Sequence, residues 1–180
     1  MKREFNITIF SENHIGLLNR ITIVFTRRKV NIESLVVSES AIEGVYKFLV
    51  VVNTTEDMAK KVVAQIEKLI DVIRAFYHTN EEMIFQEIAL YKVPIDALYE
   101  SDTVERIVRN AGAKILEITR EYVVIEKTGY KEETQALFEE LNHFKVMQFT
   151  RSGRVALTRD PIERLSVFLR ERDAFLDSLD

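Results

Sequence analysis

The chain has 180 residues, no cysteine and a formal net charge of -4, which excludes a disulfide framework, a thiolate nucleophile and a general basic field for nucleic acid. Hydrophobic residues make up 47% and charged residues 30%, a balance typical of folded globular proteins. The N-terminal MKREFNITIF lacks the apolar core of an export signal, and no later run is long enough to span a bilayer. We therefore expect a cytoplasmic protein without membrane or nucleic-acid partners.

The first half of the chain predicts the order strand, helix, strand, strand, helix, strand. The alternating run FNITIF indicates a strand, and the apolar residues after Gly16 recur at helical spacing. Two β-branched and aromatic runs, VNIESLVVSES and VYKFLVVVN, predict a hairpin with Gly44 at its turn. An amphipathic helix that begins at Thr54 or Thr55 and a last strand, DVIRAFYH, complete a βαββαβ unit.

The same order recurs from Ile84 onward. Strands are predicted in IFQEIALYKV, AKILEIT, EYVVIEK and KVMQFTR. Helices are predicted from Asp102 to Asn110 and from Glu132 to Leu141. The second half of the chain therefore repeats the plan of the first.

The run DPIERLSVFLRERDAFLDSL predicts an amphipathic C-terminal helix that begins at Pro161 with Asp160 as its cap. Its apolar side carries Ile162, Leu165, Phe168, Leu169, Leu176 and Leu179. The predicted fold is thus α+β, with two tandem ferredoxin-like βαββαβ units over residues 1–80 and 81–159 and a helix over 160–180. The strand NIESLVVSES would form a long sheet edge, which predicts a homodimer that extends the sheet through this edge.

The stretch FSENHIGLLNRI, residues 10–21, joins the first strand to the first helix. A helix N-terminus carries backbone N–H groups without intrahelical partners, together with the positive end of the helix dipole, so it attracts an anion such as a carboxylate. Gly16 would let a ligand approach this backbone. The alternative interpretation is structural, with Ser11 or Asn13 capping the helix and Gly16 relieving a crowded contact.

The order of several motifs resembles a known family. SENHIGLLNRITIVFTRRKVNIESLVVSES is similar to the start of the ACT domain in the small regulatory subunit of acetolactate synthase, where an E-N-x-x-G-x-L-x-R segment precedes N-I-E-S-L. IEKLIDVIRAFYH resembles the second helix and fourth strand of that family. QEIALYKV and TRSGRVALTRD resemble the beginning and the end of its C-terminal domain. The resemblance covers nearly the whole chain.

This resemblance implies a regulatory chain without catalytic residues. Such a chain binds the large catalytic subunit, raises its activity and confers feedback inhibition by valine or another branched-chain amino acid. Thiamine diphosphate, magnesium and FAD are then expected only in the catalytic partner, and residues 1–80 and 81–159 are an ACT domain and an ACT-like domain. The effector-binding residues that the resemblance implies are Asn13, His14, Ile15, Gly16, Asn31 and Ile32.

The implied site has a plausible chemistry. The effector carboxylate would lie on the N–H groups around Ile15 and Gly16, an asparagine oxygen would accept from its ammonium group, and an apolar pocket would hold its side chain. Asn31 also has a structural interpretation, as a turn residue at the start of a strand.

Two positions depart from the family pattern. The family usually has R-G-Y-N before its N-I-E-S-L segment, whereas RRKVN has Lys29 in place of the glycine. Because lysine at a positive φ is strained, this substitution favours a rearranged turn. Asp160 replaces the terminal glycine of the family's L-x-R-G ending, and the helix after it extends beyond the family pattern.

Other functions have less support. His14, His78 and His143 are scattered, and the sequence has no metal-ligand spacing, no glycine-rich phosphate loop and no G-x-S-x-G. Ferredoxin-like sheets can also bind RNA, but no RNP-like aromatic strand is present. The remaining alternative is a stand-alone ACT-domain amino-acid sensor that acts on a different protein.

Overall fold

The structure, a computed structural model, describes residues 1–99, 103–162 and 164–177, and the predicted α+β fold with two βαββαβ units is confirmed. The first unit consists of β1 (Arg3–Glu12), α1 (Leu17–Arg27), β2 (Ile32–Glu39), β3 (Val45–Thr54), α2 (Glu56–Ile66) and β4 (Val72–His78). The second consists of β5 (Met83–Pro94), α3 (Asp96–Tyr99), α4 (Thr103–Asn110), β6 (Lys114–Ile118), β7 (Tyr122–Gly129), α5 (Lys131–Asn142) and β8 (Gln148–Arg151). The chain continues with β9 (Val155–Thr158) and α6 (Arg164–Asp177).

The first unit is an antiparallel sheet in the order β2-β3-β1-β4, with α1 and α2 packed on one face. Period-two alternation buries Phe5, Ile7 and Ile9 of β1 completely beneath the helices. The apolar side of α1 contributes Leu17, Ile21, Val24 and Phe25 to the same core. Because β2 stands first in this strand order, it is an edge strand of the sheet.

The second unit repeats this topology with the strand order β6-β7-β5-β8, and β9 pairs with β5 as the fifth strand of the sheet. Ala89, Tyr91 and Val93 of β5 are fully buried in its core. The hydroxyl group of Tyr91 donates a 2.6 Å hydrogen bond to the carbonyl oxygen of Thr134, and burial raises the pKa of Tyr91 to about 12. The hydroxyl group therefore stays protonated at neutral pH and can donate this hydrogen bond.

Some element boundaries differ from the sequence prediction. The short helix α3 was not predicted, and Asp102, the predicted start of α4, lies outside the described residues. The predicted strand KVMQFTR is shorter in the structure, because Lys145 takes a φ of 60° in the turn after α5 and β8 begins only at Gln148.

The chain groups into two compact units, Met1–Ile84 together with the segment from Ala156 onward, and Phe85–Val155. The C-terminal helix therefore belongs to the first unit. The predicted helix start at Pro161 was wrong: α6 begins at Arg164, after bends at Pro161 and Ile162. Asp160 instead closes a local turn, in which its Oδ1 accepts a 3.0 Å hydrogen bond from the N–H of Ile162. The side chains of Leu176 and Leu179 lie outside the described residues.

The rearranged turn expected at Lys29 was also wrong. Lys29 takes the left-handed conformation with a φ of 54°. Its N–H bonds the carbonyl oxygen of Thr26 at 3.0 Å, and the N–H of Val30 bonds that of Phe25 at 3.0 Å. These are the two hydrogen bonds of a Schellman motif, so the helix ends in the same way as it would if residue 29 were glycine. Lys29 tolerates the backbone strain of this conformation.

Replacing Lys29 by glycine is expected to stabilise the protein by about 1 kcal/mol, because glycine has no steric cost in the left-handed region. Urea denaturation of the two proteins measures the difference in the free energy of unfolding. Gly112, with a φ of 60° at the equivalent position after α4, provides the matched control: Gly112→Ala should destabilise by a similar amount. Equal stability of Lys29→Gly and the wild-type protein would contradict this account of the turn.

Candidate effector-binding site

Residues 13–16, which we call the effector turn, connect the end of β1 at Glu12 to the start of α1 at Leu17. Gly16 occupies the N-cap position with a φ of 84°, a conformation that favours glycine. Among the described residues no side chain caps the helix, so the alternative in which Ser11 or Asn13 caps it was wrong. The N–H of Leu17 donates a 3.2 Å hydrogen bond to the carbonyl oxygen of His14, so the first-turn N–H groups left for another acceptor begin at Leu18.

The carboxylate of Asp71, in the loop before β4, binds the effector turn. Asp71 Oδ1 lies 2.8 Å from Nδ1 of His14, and Asp71 Oδ2 accepts a hydrogen bond from the guanidinium group of Arg20 on α1. The N–H of Glu12 also donates a 3.0 Å hydrogen bond to the backbone carbonyl oxygen of Asp71. The hydrogen bond with His14, and then the guanidinium group of Arg20, lower the pKa of Asp71 below its usual value.

Asp71→Asn is expected to lower the melting temperature at pH 7, because the amide cannot replace a carboxylate that binds two basic groups. The folded-state pKa of Asp71 is depressed, so its stabilisation is present above the ordinary value of 3.8 and is lost as the pH falls through the depressed pKa. Thermal unfolding at pH 7 and below pH 3.8 should show the difference between variant and wild type shrinking in acid. Glu43→Gln, at an exposed carboxylate, is the control. If the difference in melting temperature between Asp71→Asn and the wild-type protein does not change with pH, the stabilising role of the Asp71 carboxylate is contradicted.

Asn31 and Ile32 lie at the other end of α1 in the same chain. The sheet register sets Ile32 opposite Val52, beside Phe5, whereas the effector turn follows the end of β1 near Ser11. The eleven residues of α1 separate the two ends by about 16 Å. The predicted site residues therefore form two groups that one chain does not bring together.

The two residues after α1 have different surroundings. Asn31 is exposed, and its Nδ2 donates a 3.0 Å hydrogen bond to Glu33 Oε1, which leaves its amide oxygen as an acceptor. Ile32 is half-buried and packs against the core of the first unit. Its side chain thus supports the sheet.

Sequence reasoning missed Asp71 and Arg20. Asp71 is 57 residues from His14 along the chain and 51 from Arg20, so no local spacing signals their contact. The structure also leaves Ile15 completely exposed, at 106%, and exposes Leu18 and Val37. Ile15 and Leu18 lie on either side of the start of α1, and Val37 lies on the edge strand β2.

The described part of the chain has neither a metal-binding cluster nor a membrane-spanning helix. It contains no group of three or more histidine, aspartate or glutamate side chains arranged to hold a metal ion. Within the same residues, no helix is both long and apolar enough to cross a lipid bilayer.

The fold and the matching family models together define a regulatory protein of the ACT class. Residues 2–74 match the family described as the AHAS small subunit-like ACT domain, and residues 86–160 match the family described as the small subunit of acetolactate synthase. The chain is 31% identical over 167 residues to the acetolactate synthase small subunit of Bacillus subtilis, covering 92% of this chain and 95% of that protein. It is 30% identical to the Mycobacterium bovis small subunit, covering 86% and 92%.

The crystal structure of the acetolactate synthase small subunit from Thermotoga maritima has the same fold, with a TM-score of 0.80 and 26% identity over 89% of this chain and 99% of that one. The chain therefore belongs to the acetolactate synthase small-subunit family, the regulatory subunits of an enzyme of branched-chain amino-acid biosynthesis. The family resemblance seen in the sequence is confirmed. Because the match extends through the second unit, the stand-alone sensor loses its support.

Proposed function

We propose that this chain binds the thiamine-diphosphate-dependent catalytic subunit of acetolactate synthase, raises its activity, and confers feedback inhibition by a branched-chain amino acid. The observation that carries this proposal is the uncapped, glycine-started N-terminus of α1, in a chain that matches small subunits over both units. Residues 1–80 bind the effector and form the dimer, and residues 81–159 are a second regulatory domain. Catalysis, with thiamine diphosphate, magnesium and FAD, belongs to the cytoplasmic partner subunit.

The effector turn can recognise an α-amino acid by its two charged groups. Its carboxylate accepts from the N–H groups of Ile15 and Gly16, where the positive end of the α1 dipole favours an anion. Its ammonium group donates to an asparagine oxygen, for which Asn13 and Asn31 are the candidates. Ser11 supports a ligand here as well: its hydroxyl group is buried at the foot of the turn and, among the described residues, has no hydrogen-bond partner.

The site is completed by a second copy of the chain. β1 and β2 are both antiparallel to β3, so the end of β2 lies at the same end of the sheet as the effector turn and its start lies at the opposite end. Antiparallel pairing of β2 with its copy would bring the start of the partner strand beside the end of β2. Asn31 of the second copy would then lie at the effector turn of the first.

Exposed apolar side chains support this dimer. Val37 lies on β2 opposite Phe48, so it is on the α1 side of the sheet and near the end that carries the effector turn. Val37, Ile15 and Leu18 are exposed in the isolated chain. A second copy and the aliphatic side chain of the effector would cover them, which accounts for apolar residues at these exposed positions.

Titration calorimetry with L-valine, L-leucine and L-isoleucine tests the effector, and sedimentation tests the dimer. The proposal predicts saturable binding of at least one of the three amino acids at one site per chain, and a dimer in solution. Val37→Lys should weaken dimer formation and amino-acid binding together, because a charge on the edge strand β2 opposes pairing of the two strands. A monomeric wild-type protein that binds none of the three would contradict the proposal.

A further inference from the structure

Helix α6 is a part of the first unit that the proposed function does not explain. It packs on the sheet face opposite α1 and α2, since Phe10 alternates with the core residue Ile9 along β1. Leu165 is 1% exposed and forms an apolar cluster with Phe10 and Val45. The half-buried residues packed against this cluster are Ile42, Ile73, Phe76 and Leu169. The helix is therefore an integral part of the first unit.

A second contact connects α6 to the helix layer on the opposite face. The guanidinium group of Arg74 lies 5.0 Å from the ring centroid of Phe168 and 3.2 Å from the carboxylate of Glu67, which follows α2. The same Glu67 oxygen accepts a 3.2 Å hydrogen bond from the N–H of Ala75. Arg74 thus connects α6 to the start of β4 and to the end of α2.

The residues that α6 contacts adjoin the supports of the effector turn. Phe10 directly precedes Ser11, and it pairs with Arg74 across the β1–β4 ladder just before a register shift. Ile73 and Arg74 follow Asp71, the residue that holds His14 and Arg20, by two and three positions. The packing of α6 therefore fixes the end of β1 and the start of β4, and the effector turn is held between these two strand ends.

We propose that α6 positions the effector turn, so that its packing through Leu165 and Phe168 sets the affinity of the site for the amino acid. This inference rests on the proposed function, because it concerns regulation of the same site. Leu165 and Phe168 are positioning residues that act through Phe10, Ile73 and Arg74. Since coupling between two sites is reciprocal, effector binding must in turn stabilise the packing of α6.

Leu165→Ala is expected to raise the calorimetric Kd of L-valine, or of whichever of the three amino acids binds the wild-type protein, by at least about fivefold, the lower range of coupling between sites. Leu141→Ala is the matched control, because Leu141 is a fully buried leucine in the core of the second unit. It removes the same side chain from an equally buried position, and its Kd should stay within about twofold of wild type. A general loss of stability would raise the Kd of Leu165→Ala and of Leu141→Ala alike.

Hydrogen exchange on the wild-type protein gives a second readout that does not depend on the variant folding. The amides of residues 164–171 should exchange more slowly when the effector turn is saturated with the amino acid. Unchanged exchange, an unchanged Kd in Leu165→Ala, or an equal increase in Leu141→Ala would overturn this inference alone. A wild-type protein that binds none of the three amino acids would overturn the effector assignment, and this inference with it.

Discussion

Gly16→Asp is expected to abolish amino-acid sensitivity, raising the Kd of the effector by ~100-fold or more, about 2.7 kcal/mol. The new carboxylate would lie at the helix N-terminus, where it repels the effector carboxylate and competes for the N–H groups that bind it. A Cβ atom at Gly16 would meet nothing within 4 Å, so the cost of the change to folding is the backbone strain of a non-glycine residue at a φ of 84°. Asn13→Ala should also remove sensitivity, because it deletes an amide oxygen that can accept from the ammonium group.

Gly44→Asp is the matched control for the backbone cost. Gly44 has a φ of 76°, close to the 84° of Gly16, and a Cβ atom there also meets nothing within 4 Å. This control carries the same strain and charge but lies in the β2–β3 hairpin, so it should keep its sensitivity. Both Gly16→Asp and Asn13→Ala should still activate the catalytic subunit. Unchanged inhibition in these two variants would exclude the effector turn as the binding site.

Mixing two inactive variants is expected to restore binding if the site is shared between two copies. Asn13→Ala and Asn31→Ala dimers each carry two damaged sites. A mixed dimer has one site with both asparagines intact and one site with neither. Random exchange of subunits makes half the dimers mixed, so about one quarter of all sites should recover wild-type affinity. Titration calorimetry after denaturation and joint refolding measures this fraction.

The control mixture combines Asn13→Ala with Gly16→Asp. Both changes affect the same half of the site, so a mixed dimer still has two damaged sites and no binding should return. Recovery in the first mixture alone would establish that Asn31 acts across the two-fold axis. No recovery in either mixture would mean that the two asparagines do not form one site between copies.

Elements with a clear hydrophobic period could be predicted from the sequence. The alternation of Phe5, Ile7 and Ile9, and the helical spacing of Leu17, Ile21 and Val24, both appear in the structure as buried faces. The turn between β1 and α1 could also be located, because the strand period ends and the helical period begins on either side of Gly16. The local sequence pattern was sufficient to predict an element wherever the contacts that determine its structure join residues close in sequence.

Features that depend on distant residues could not be predicted. The hydrogen bonds of Asp71 with His14 and Arg20, and the packing of Leu165 on Phe10, join segments that only the fold brings together. The conformation of Lys29 is a different case. Steric propensity disfavours lysine there, but the two hydrogen bonds that end α1 outweigh a cost of about 1 kcal/mol.

The most direct test of the account is acetolactate formation by the large subunit from the same organism, measured alone, with this chain, and with L-valine, L-leucine or L-isoleucine added in turn. The account predicts that this chain raises the rate, that at least one of the three amino acids reverses the increase, and that the chain carrying Gly16→Asp still activates but is no longer inhibited. If the folded chain neither associates with the large subunit nor changes its rate, the regulatory assignment is contradicted.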